Sequence, residues 1–311
     1  MSRRISLPLL ALLLLVAACD GGAEPDSGSP SEGEGSFPVT IAAGNGPVTI
    51  ERRPQAIVSL SPTATEMLYG IGAGDQVVAV DDQSTYPAEA PRTDLSGITP
   101  NIEAITSYEP DLVLVSFDPG DVVSSLAALG VPVLVMPGVA SLEEAYTQME
   151  QLGAATGNVG GAAELVAGMQ ADIAEIVSAA ADIDPAPTYY HELDPSFYTA
   201  TSTTFIGEIY GLLGLKNIAD PADADGFGYP QLSAEFILEQ DPDLIFLADT
   251  KCCDQSAASL AQRPGWAALT AVAAGRVVEL DDDVASRWGP RVVDFLRDVA
   301  EAVATVEATG P

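Results

Sequence analysis

Few side chains in this sequence have the chemistry of a catalyst. The 311 residues contain one histidine, His191, which is too few for a zinc site built from several histidines. The G-x-S-x-G and H-E-x-x-H patterns of serine and zinc hydrolases do not occur. The segment YYHEL alternates like a β-strand, so we interpret His191 as a hydrogen-bonded strand residue in preference to a ligand contact. These residues predict neither an enzyme nor a resident cofactor or metal.

Aromatic residues beside turn residues indicate binding instead. They stand in short segments after apolar, strand-like runs, where α/β proteins place their ligand contacts. Aromatic faces in such loops suit a large flat or macrocyclic ligand that is held mainly by stacking. The predicted ligand-binding residues are Ser61, Tyr86, Phe117, Tyr198, Arg287 and Trp288.

Two arginines flank the tryptophan in the segment SRWGPR. Arg287 and Arg291 carry planar forks that bind carboxylate or hydroxamate oxygens well. With 45 acidic residues in the chain, each arginine could also have an internal ion-pair partner. Both roles stay open for Arg287, whereas we expect Arg291, one helical turn further on, to be structural.

Two glutamates occupy matching places in an internal repeat. Residues 103–115 (EAITSYEPDLVLV) and 235–247 (EFILEQDPDLIFL) align without a gap, and each reads as a helix, a Pro-Asp turn and a buried strand. Glu103 and Glu235 each follow a good N-cap residue by two positions, which places them in the first helical turn. Because helix N-termini share an edge with the carboxyl ends of parallel strands, both carboxylates should flank the mouth of a cleft.

The repeat extends beyond these segments. TEMLYGIG (65–72) and GEIYGLLG (207–214) precede the two copies, and LGVPVLV (129–135) and AGRVVEL (274–280) follow them. Each half therefore reads as strand, helix, helix, strand, helix, strand. This order predicts parallel sheets with helices on their faces.

The same pattern predicts the domain organisation. Residues 158–182 contain no proline and have apolar residues at helical spacing, which predicts the longest helix of the chain. We predict an α/β fold with two Rossmann-like lobes, residues 37–157 and 183–311, joined by this one helix. A single stiff helix is expected to limit movement between the lobes.

The amino terminus reads as an export signal. Residues 1–19 have a short basic segment, an apolar core and the sequence Val-Ala-Ala-Cys, which resembles a bacterial lipobox. Lipidation of Cys19 is the preferred interpretation over an ordinary secretory signal with an incidental cysteine. The paired arginines match a twin-arginine signal only weakly. Residues 20–36 lack large apolar side chains, which predicts a disordered tether and places the body on the extracytoplasmic face of the membrane.

Cys252 and Cys253 are adjacent in the sequence. In an oxidising compartment such a pair can close a strained disulfide ring, and the alternative is two free thiols in a loop. We prefer the disulfide.

The charge of the chain excludes one class of partner. A formal net charge of −33 with only 12 basic residues leaves no basic surface for nucleic acid.

The chain resembles the solute-binding lipoproteins of bacterial ABC importers for ferric siderophores and cobalamin. The resemblance spans residues 37 to about 306 and rests on ordered segments such as IVSLSPTATEMLYGIGAGDQVVAV, LSAEFILEQDPDLIFL and SRWGPRVVDFL. It implies a monomeric protein that holds a metal chelate between two lobes with little domain closure. It also implies that Glu103 and Glu235 pair with arginines of the membrane permease.

Other functions agree less well with these residues. A zinc or manganese carrier would need more histidines, and a haem carrier on the same scaffold remains an alternative. An extracellular hydrolase is disfavoured by the missing motifs. A glycosidase that uses a carboxylate pair has no excluding motif, but the duplicated lobes give it no support.

Overall fold

A computed structural model of the protein describes residues 36–180 and 184–307. The predicted signal peptide, Cys19 and the predicted tether up to residue 35 lie outside the described residues. No helix within the two described ranges is long and apolar enough to cross a membrane.

Eleven strands occur in the described residues. They are β1 Val39–Ala43, β2 Gly46–Ile50, β3 Ile57–Leu60, β4 Val77–Asp81, β5 Arg92–Leu95, β6 Leu112–Val115, β7 Val133–Val135, β8 Thr188–Glu192, β9 Lys216–Asn217, β10 Leu244–Leu247 and β11 Val277–Glu279.

Twelve α-helices lie between and after these strands in the same ranges. They are α1 Pro62–Gly70, α2 Ile102–Thr106, α3 Val122–Ala127, α4 Leu142–Thr156, α5 Val159–Ala179, α6 Phe205–Gly211, α7 Ala234–Gln240, α8 Thr250–Cys253, α9 Ala257–Ala261, α10 Thr270–Ala273, α11 Asp282–Ser286 and α12 Val292–Glu307.

The predicted α/β fold is confirmed, and its two main sheets are parallel. The first has the order β5-β4-β3-β6-β7 and the second the order β11-β10-β8-β9. Strands β3, β6 and β10 are buried along their whole length, as expected for central strands covered by helices on both faces. The strands β1 and β2 form a separate antiparallel hairpin.

The internal repeat has a structural counterpart in the strand order. In the second sheet β9, β8, β10 and β11 stand where β4, β3, β6 and β7 stand in the first. The repeated pattern of strand, helix, helix, strand leaves out one strand in each half, β4 or β9, which lies between the first two helices. The run QVVAV (76–80) predicts β4, whereas no prediction was made for β9. The strand β9 has only two residues, too few to show a pattern in the sequence.

The aspartates of the two Pro-Asp turns explain part of the repeat. Asp111 accepts hydrogen bonds from the backbone N–H groups of Gln55 and Ala56, just before β3. Asp243 accepts from the backbone N–H and the hydroxyl of Thr188, which begins β8. Each carboxylate therefore fixes the start of the central strand of its own sheet.

The lobes share one hydrophobic core. The helix α5 has 21 residues, is the longest described helix, and contributes Ala162, Val166, Met169 and Ile173 to this core. Side chains from both halves, such as Met67 and Leu68 of α1 and Tyr210 and Val299 of α6 and α12, belong to the same cluster. The described residues accordingly form a single compact unit.

Candidate functional site at the carboxyl edges of the sheets

The predicted ligand-binding residues lie on loops at the carboxyl ends of the strands. Ser61 follows β3, Tyr86 follows β4 and Phe117 follows β6; Tyr198 follows β8, and the segment of Trp288 follows β11. Because each sheet is parallel, these loops share one edge of their sheet, where α/β proteins bind ligands.

Three predicted aromatic residues present their rings to solvent. Tyr86 is 47% exposed, Phe117 51% and Tyr198 43%. Exposed aromatic rings on edge loops are available for stacking on a flat ligand. The contact of these three residues with a ligand stays a prediction.

Two exposed aromatic residues were not predicted from the sequence. Phe227, 75% exposed, and Tyr229 lie on the loop after β9, with ring centroids 5.9 Å apart. Hydrogen bonds from Thr199 N–H to the Pro230 carbonyl and from Thr201 N–H to the Gly228 carbonyl hold this loop beside Tyr198. The segment DGFGYP offered a signal, since it places aromatic residues between turn residues. The strand that precedes it, β9, was too short to be recognised from the sequence.

Ser61 is committed to local structure. Its side chain is buried, and its oxygen caps α1 by accepting from the backbone N–H of Ala64 at 3.3 Å. The hydroxyl of Ser116 donates to the same oxygen at 2.8 Å. In this arrangement Ser61 shapes the edge of the sheet, and its contact with a ligand stays a prediction.

Trp288 joins the two lobes. Its indole N–H donates to the side-chain oxygen of Gln148 on α4 at 2.9 Å, and its ring packs partly buried against the shared core. The six-membered ring lies beside Gly138, which follows β7. Trp288 therefore lies where the carboxyl edges of the two sheets adjoin.

Arg287 and Arg291 bind one buried glutamate across the lobe boundary. Arg287 donates to Glu66 Oε1 at 2.8 Å, and Arg291 donates to both oxygens of Glu66, at 2.6 and 2.9 Å. Arg287 also pairs with Asp283 at 2.6 Å. The hydrogen bonds to Glu66 raise the pKa of Arg291, whose guanidinium lies 4.5 Å from the centre of the Tyr86 ring.

These contacts favour the ion-pair role of Arg287, and its contact with a ligand stays a prediction. Both arginines have internal partners, so the ion-pair interpretation fits Arg287, and the structural role expected of Arg291 agrees with its contacts. Glu66, the residue that links them, was not predicted as a site residue. Its position in the repeated segment Glu-x5-Gly was the available signal.

Glu208 is the counterpart of Glu66 in the second copy of that segment. It lies on α6 and accepts a hydrogen bond at 2.7 Å from the backbone N–H of Leu142, the first residue of α4. Glu66 reaches from the first lobe to the segment after β11, and Glu208 reaches from the second lobe to the segment after β7. Two equivalent glutamates thus fasten the lobes with reciprocal contacts.

A buried acidic cluster lies at the carboxyl edge of the second sheet. Arg263 donates to both oxygens of Glu192 at 2.6 Å, and Tyr190 donates to the same carboxylate at 3.2 Å. Asp249 is fully buried beside them. Its burial and the neighbouring charge of Glu192 raise the pKa of Asp249 to about 7. The sequence offered no signal for this cluster, since its members come from three separate segments.

His191 is a buried residue of β8, as predicted. Its Nδ1 lies 2.8 Å from the hydroxyl of Tyr210, and burial lowers the pKa of the histidine to about 3. The imidazole is therefore neutral at physiological pH. The second ring nitrogen, Nε2, has no hydrogen-bond partner among the described residues.

The two cysteines lie at the end of α8. The sulfur atoms of Cys252 and Cys253 are at bonding distance in the structure, and Cys252 is exposed. A disulfide in the exported protein stays a prediction.

Glu103 and Glu235 lie in the first turns of α2 and α7, as predicted. The N-cap residues Asn101 and Ser233 accept from the backbone N–H groups of Ala104 and Phe236. Both glutamates are exposed, and neither carboxylate has a hydrogen bond or ion pair within the described part of the chain. Their charges are available to a partner.

A bare metal ion has no candidate site in residues 36–180 and 184–307. No group of three or more histidine, cysteine, aspartate or glutamate side chains is arranged to hold one.

Comparisons with known proteins agree with this architecture. The family model described as "Periplasmic binding protein" matches residues 57–284. The chain belongs to this family. The ABC transporter substrate-binding lipoprotein YvrC of Bacillus subtilis is 33% identical over 305 residues, covering 95% of each chain.

Two further comparisons name ligands of the relatives. The cobalamin-binding protein of Halobacterium salinarum is 32% identical, covering 96% of this chain and 84% of the relative. The solved structure of a possible iron-binding, periplasmic solute-binding protein from Staphylococcus epidermidis superimposes with a TM-score of 0.70 at 27% identity, covering 81% of this chain and 99% of that one. This periplasmic binding protein is thus a substrate-binding component of an ABC importer, and its relatives are binding proteins, not enzymes.

Proposed function

We propose that this protein captures an iron–siderophore or cobalamin-type chelate between its lobes and delivers it to an ABC permease. The observation that carries the proposal is the set of exposed aromatic rings on the carboxyl-edge loops of both sheets: Tyr86, Phe117, Tyr198, Phe227 and Tyr229. Rings from two sides can cover the flat or rounded surface of a large chelate. The relatives named as cobalamin-binding and iron-binding support this class of ligand.

Titration of the purified full-length protein with coloured chelates tests the ligand class. Cyanocobalamin, ferric hydroxamates, ferric catecholates and haem are added in turn, and bound chelate is measured by absorbance after rapid dialysis. We expect at least one to bind with micromolar or tighter affinity. If none binds while Zn²⁺ or a free sugar does, the proposed ligand class is refuted.

Haem is the second candidate. The exposed hydroxyls of Tyr86, Tyr198 and Tyr229 include the residue type that ligates haem iron in some proteins. A haem complex would show a tyrosinate charge-transfer band, which cobalamin and siderophore complexes lack. The same titration therefore separates haem from the other chelates.

Glu103 and Glu235 are proposed as the contacts with the permease. Their exposure, their lack of internal partners and their matched positions in the two lobes support this role. Two carboxylates presented symmetrically suit two basic patches on a permease dimer, because electrostatic complementarity speeds and orients docking.

Cys19 is proposed as the lipid anchor of a monomeric protein at the cell membrane. The lipobox-like sequence supports this, and so does the relative that is named as a lipoprotein. Replacing Cys19 by alanine should release the protein from the membrane fraction of the cell. Unchanged membrane association of the variant would contradict the anchor.

A further inference from the structure

Basic side chains near the proposed cleft are already paired with carboxylates. Glu66 binds Arg287 and Arg291, and Glu192 binds Arg263 through two hydrogen bonds of 2.6 Å. Lys251 pairs with Asp281 and with Asp283. These four cations follow β10 and β11 in the chain, the strands whose carboxyl ends face the site.

The other basic residues in the described ranges lie elsewhere. Most stand just before a strand or begin one, at the opposite edge of the sheets, as do Arg52, Arg53, Lys216 and Arg276. Arg297 pairs with Asp294 within α12. Arg92, on the edge strand β5, is the exception near this edge and donates to the backbone carbonyl of Thr85 at 2.6 Å.

Exposed carboxylates accompany the exposed aromatic rings. Asp118 is exposed directly after Phe117, and Asp225 is exposed two residues before Phe227. Asp118 uses one oxygen to accept from the backbone N–H of Val123, and Asp225 accepts from the N–H of Phe227. Neither has a basic side-chain partner among the described residues, so both carboxyl groups lie beside the rings without a neighbouring cation.

We infer that the cleft accepts chelates of zero or positive net charge and rejects anionic ones, an inference that rests on the proposed function. An anionic ligand would come close to these carboxylates, and the described residues offer it no cation without a carboxylate partner at this edge apart from Arg92. Taking Arg287 or Arg291 from Glu66 would remove one of the two cations that compensate this buried carboxylate. A neutral or cationic chelate can stack on the rings and break no ion pair.

A panel of chelates that differ in charge tests this inference on the full-length protein. Cyanocobalamin is neutral, ferric desferrioxamine B is cationic, and a ferric tris-catecholate and haem carry negative charge. We expect a neutral or cationic member to bind at least about 100-fold more tightly than either anionic one, a difference of about 2.7 kcal/mol. Affinity for a neutral member should be the same in low and high salt, because no net charge is screened.

Two other results of the chelate titrations would contradict the inference in different ways. An anionic chelate that binds as tightly as the others, and more weakly in high salt, overturns the charge preference and leaves the proposed function intact. If no chelate binds, the proposed function fails and the inference fails with it.

A gain of binding provides the second measurement. Glu66→Gln removes the charge that neutralises Arg287 and Arg291, so the anionic chelates should gain about tenfold or more in affinity. Asp283→Asn removes the second carboxylate that pairs with Arg287, and Asp283 is less buried than Glu66. This variant provides the same test if Glu66→Gln does not fold. Two variants are controls. Glu208→Gln removes the equivalent glutamate charge in the second lobe, which neutralises no arginine. Arg92→Gln removes the cation near this edge that donates to a backbone carbonyl and not to a carboxylate. Equal changes in Glu66→Gln and Glu208→Gln would overturn the inference.

Discussion

At the scale of single residues, exposure distinguishes the rings that can stack on a ligand from those that hold the protein together. Tyr198 on a carboxyl-edge loop and Tyr108 before β6 are similarly exposed, at 43% and 37%, but lie at opposite edges of the sheets. Tyr198→Ala should weaken chelate binding by about 1–2 kcal/mol, because a stacking surface is lost. Tyr108→Ala should leave affinity unchanged, and equal losses measured by titration would contradict the proposed site.

The buried carboxyl group of Asp249 makes a second prediction at this scale. Its pKa of about 7 lies above that of an unfolded aspartate, so the folded protein holds this proton more tightly. The resulting contribution to stability is fully present below the unfolded pKa and is lost as pH rises through 7. Asp249→Asn cannot ionise, so its stability relative to the parent should increase by about 1 kcal/mol per pH unit between pH 5 and 7.

Urea unfolding of both proteins at pH 5, 6, 7 and 8 measures this difference. Glu192, Arg263 and Asp282 are present in both proteins, so the two proteins differ only in the group at position 249. A difference that is constant with pH would show that Asp249 titrates normally.

At the scale of elements, Glu66 and Glu208 occupy equivalent helices but have different partners. Glu66→Gln would leave two guanidinium groups without their buried anion, which should lower the free energy of unfolding by about 3 kcal/mol. Glu208→Gln keeps an oxygen that can accept from the Leu142 N–H, so a loss of about 1 kcal/mol or less is expected. Denaturant titration of the two variants measures both effects. Similar losses would mean that the arginines contribute little to the lobe contact.

At the scale of the whole molecule, the two helix ends that carry Glu103 and Glu235 should dock the permease. Reversing both charges to lysine should abolish uptake of the chelate by cells while its dissociation constant stays nearly unchanged, because the two residues are proposed to contact the permease and not the ligand. Reversing Glu109 and Glu239, which are also exposed, is the matched control, since they lie near the opposite ends of the same helices. A large loss of affinity in the first variant would place Glu103 and Glu235 in the ligand site.

The sequence by itself determined the fold class, the long helix and the structural equivalence of the two halves. These follow from local patterns: buried runs predicted β3, β6 and β10, caps and missing prolines predicted the helices, and the repeat gave Glu103 and Glu235 equivalent positions. The aromatic loops were recognised for the same reason, since each follows a strand that the sequence marks clearly. The loop of Phe227 and Tyr229 was missed because β9 has two residues.

Only the tertiary structure decided the partners of the charged residues. Arg287 and Arg291 are 221 and 225 residues from Glu66, and Arg263 is 71 residues from Glu192. In a chain with 45 acidic residues, composition cannot say which carboxylate each arginine will meet. An ion pair forms where the fold brings two buried groups together, because burial makes an unpaired charge too costly to keep. The charge of the proposed cleft therefore depends on which residues distant in the sequence form ion pairs, and local sequence patterns do not predict these pairs.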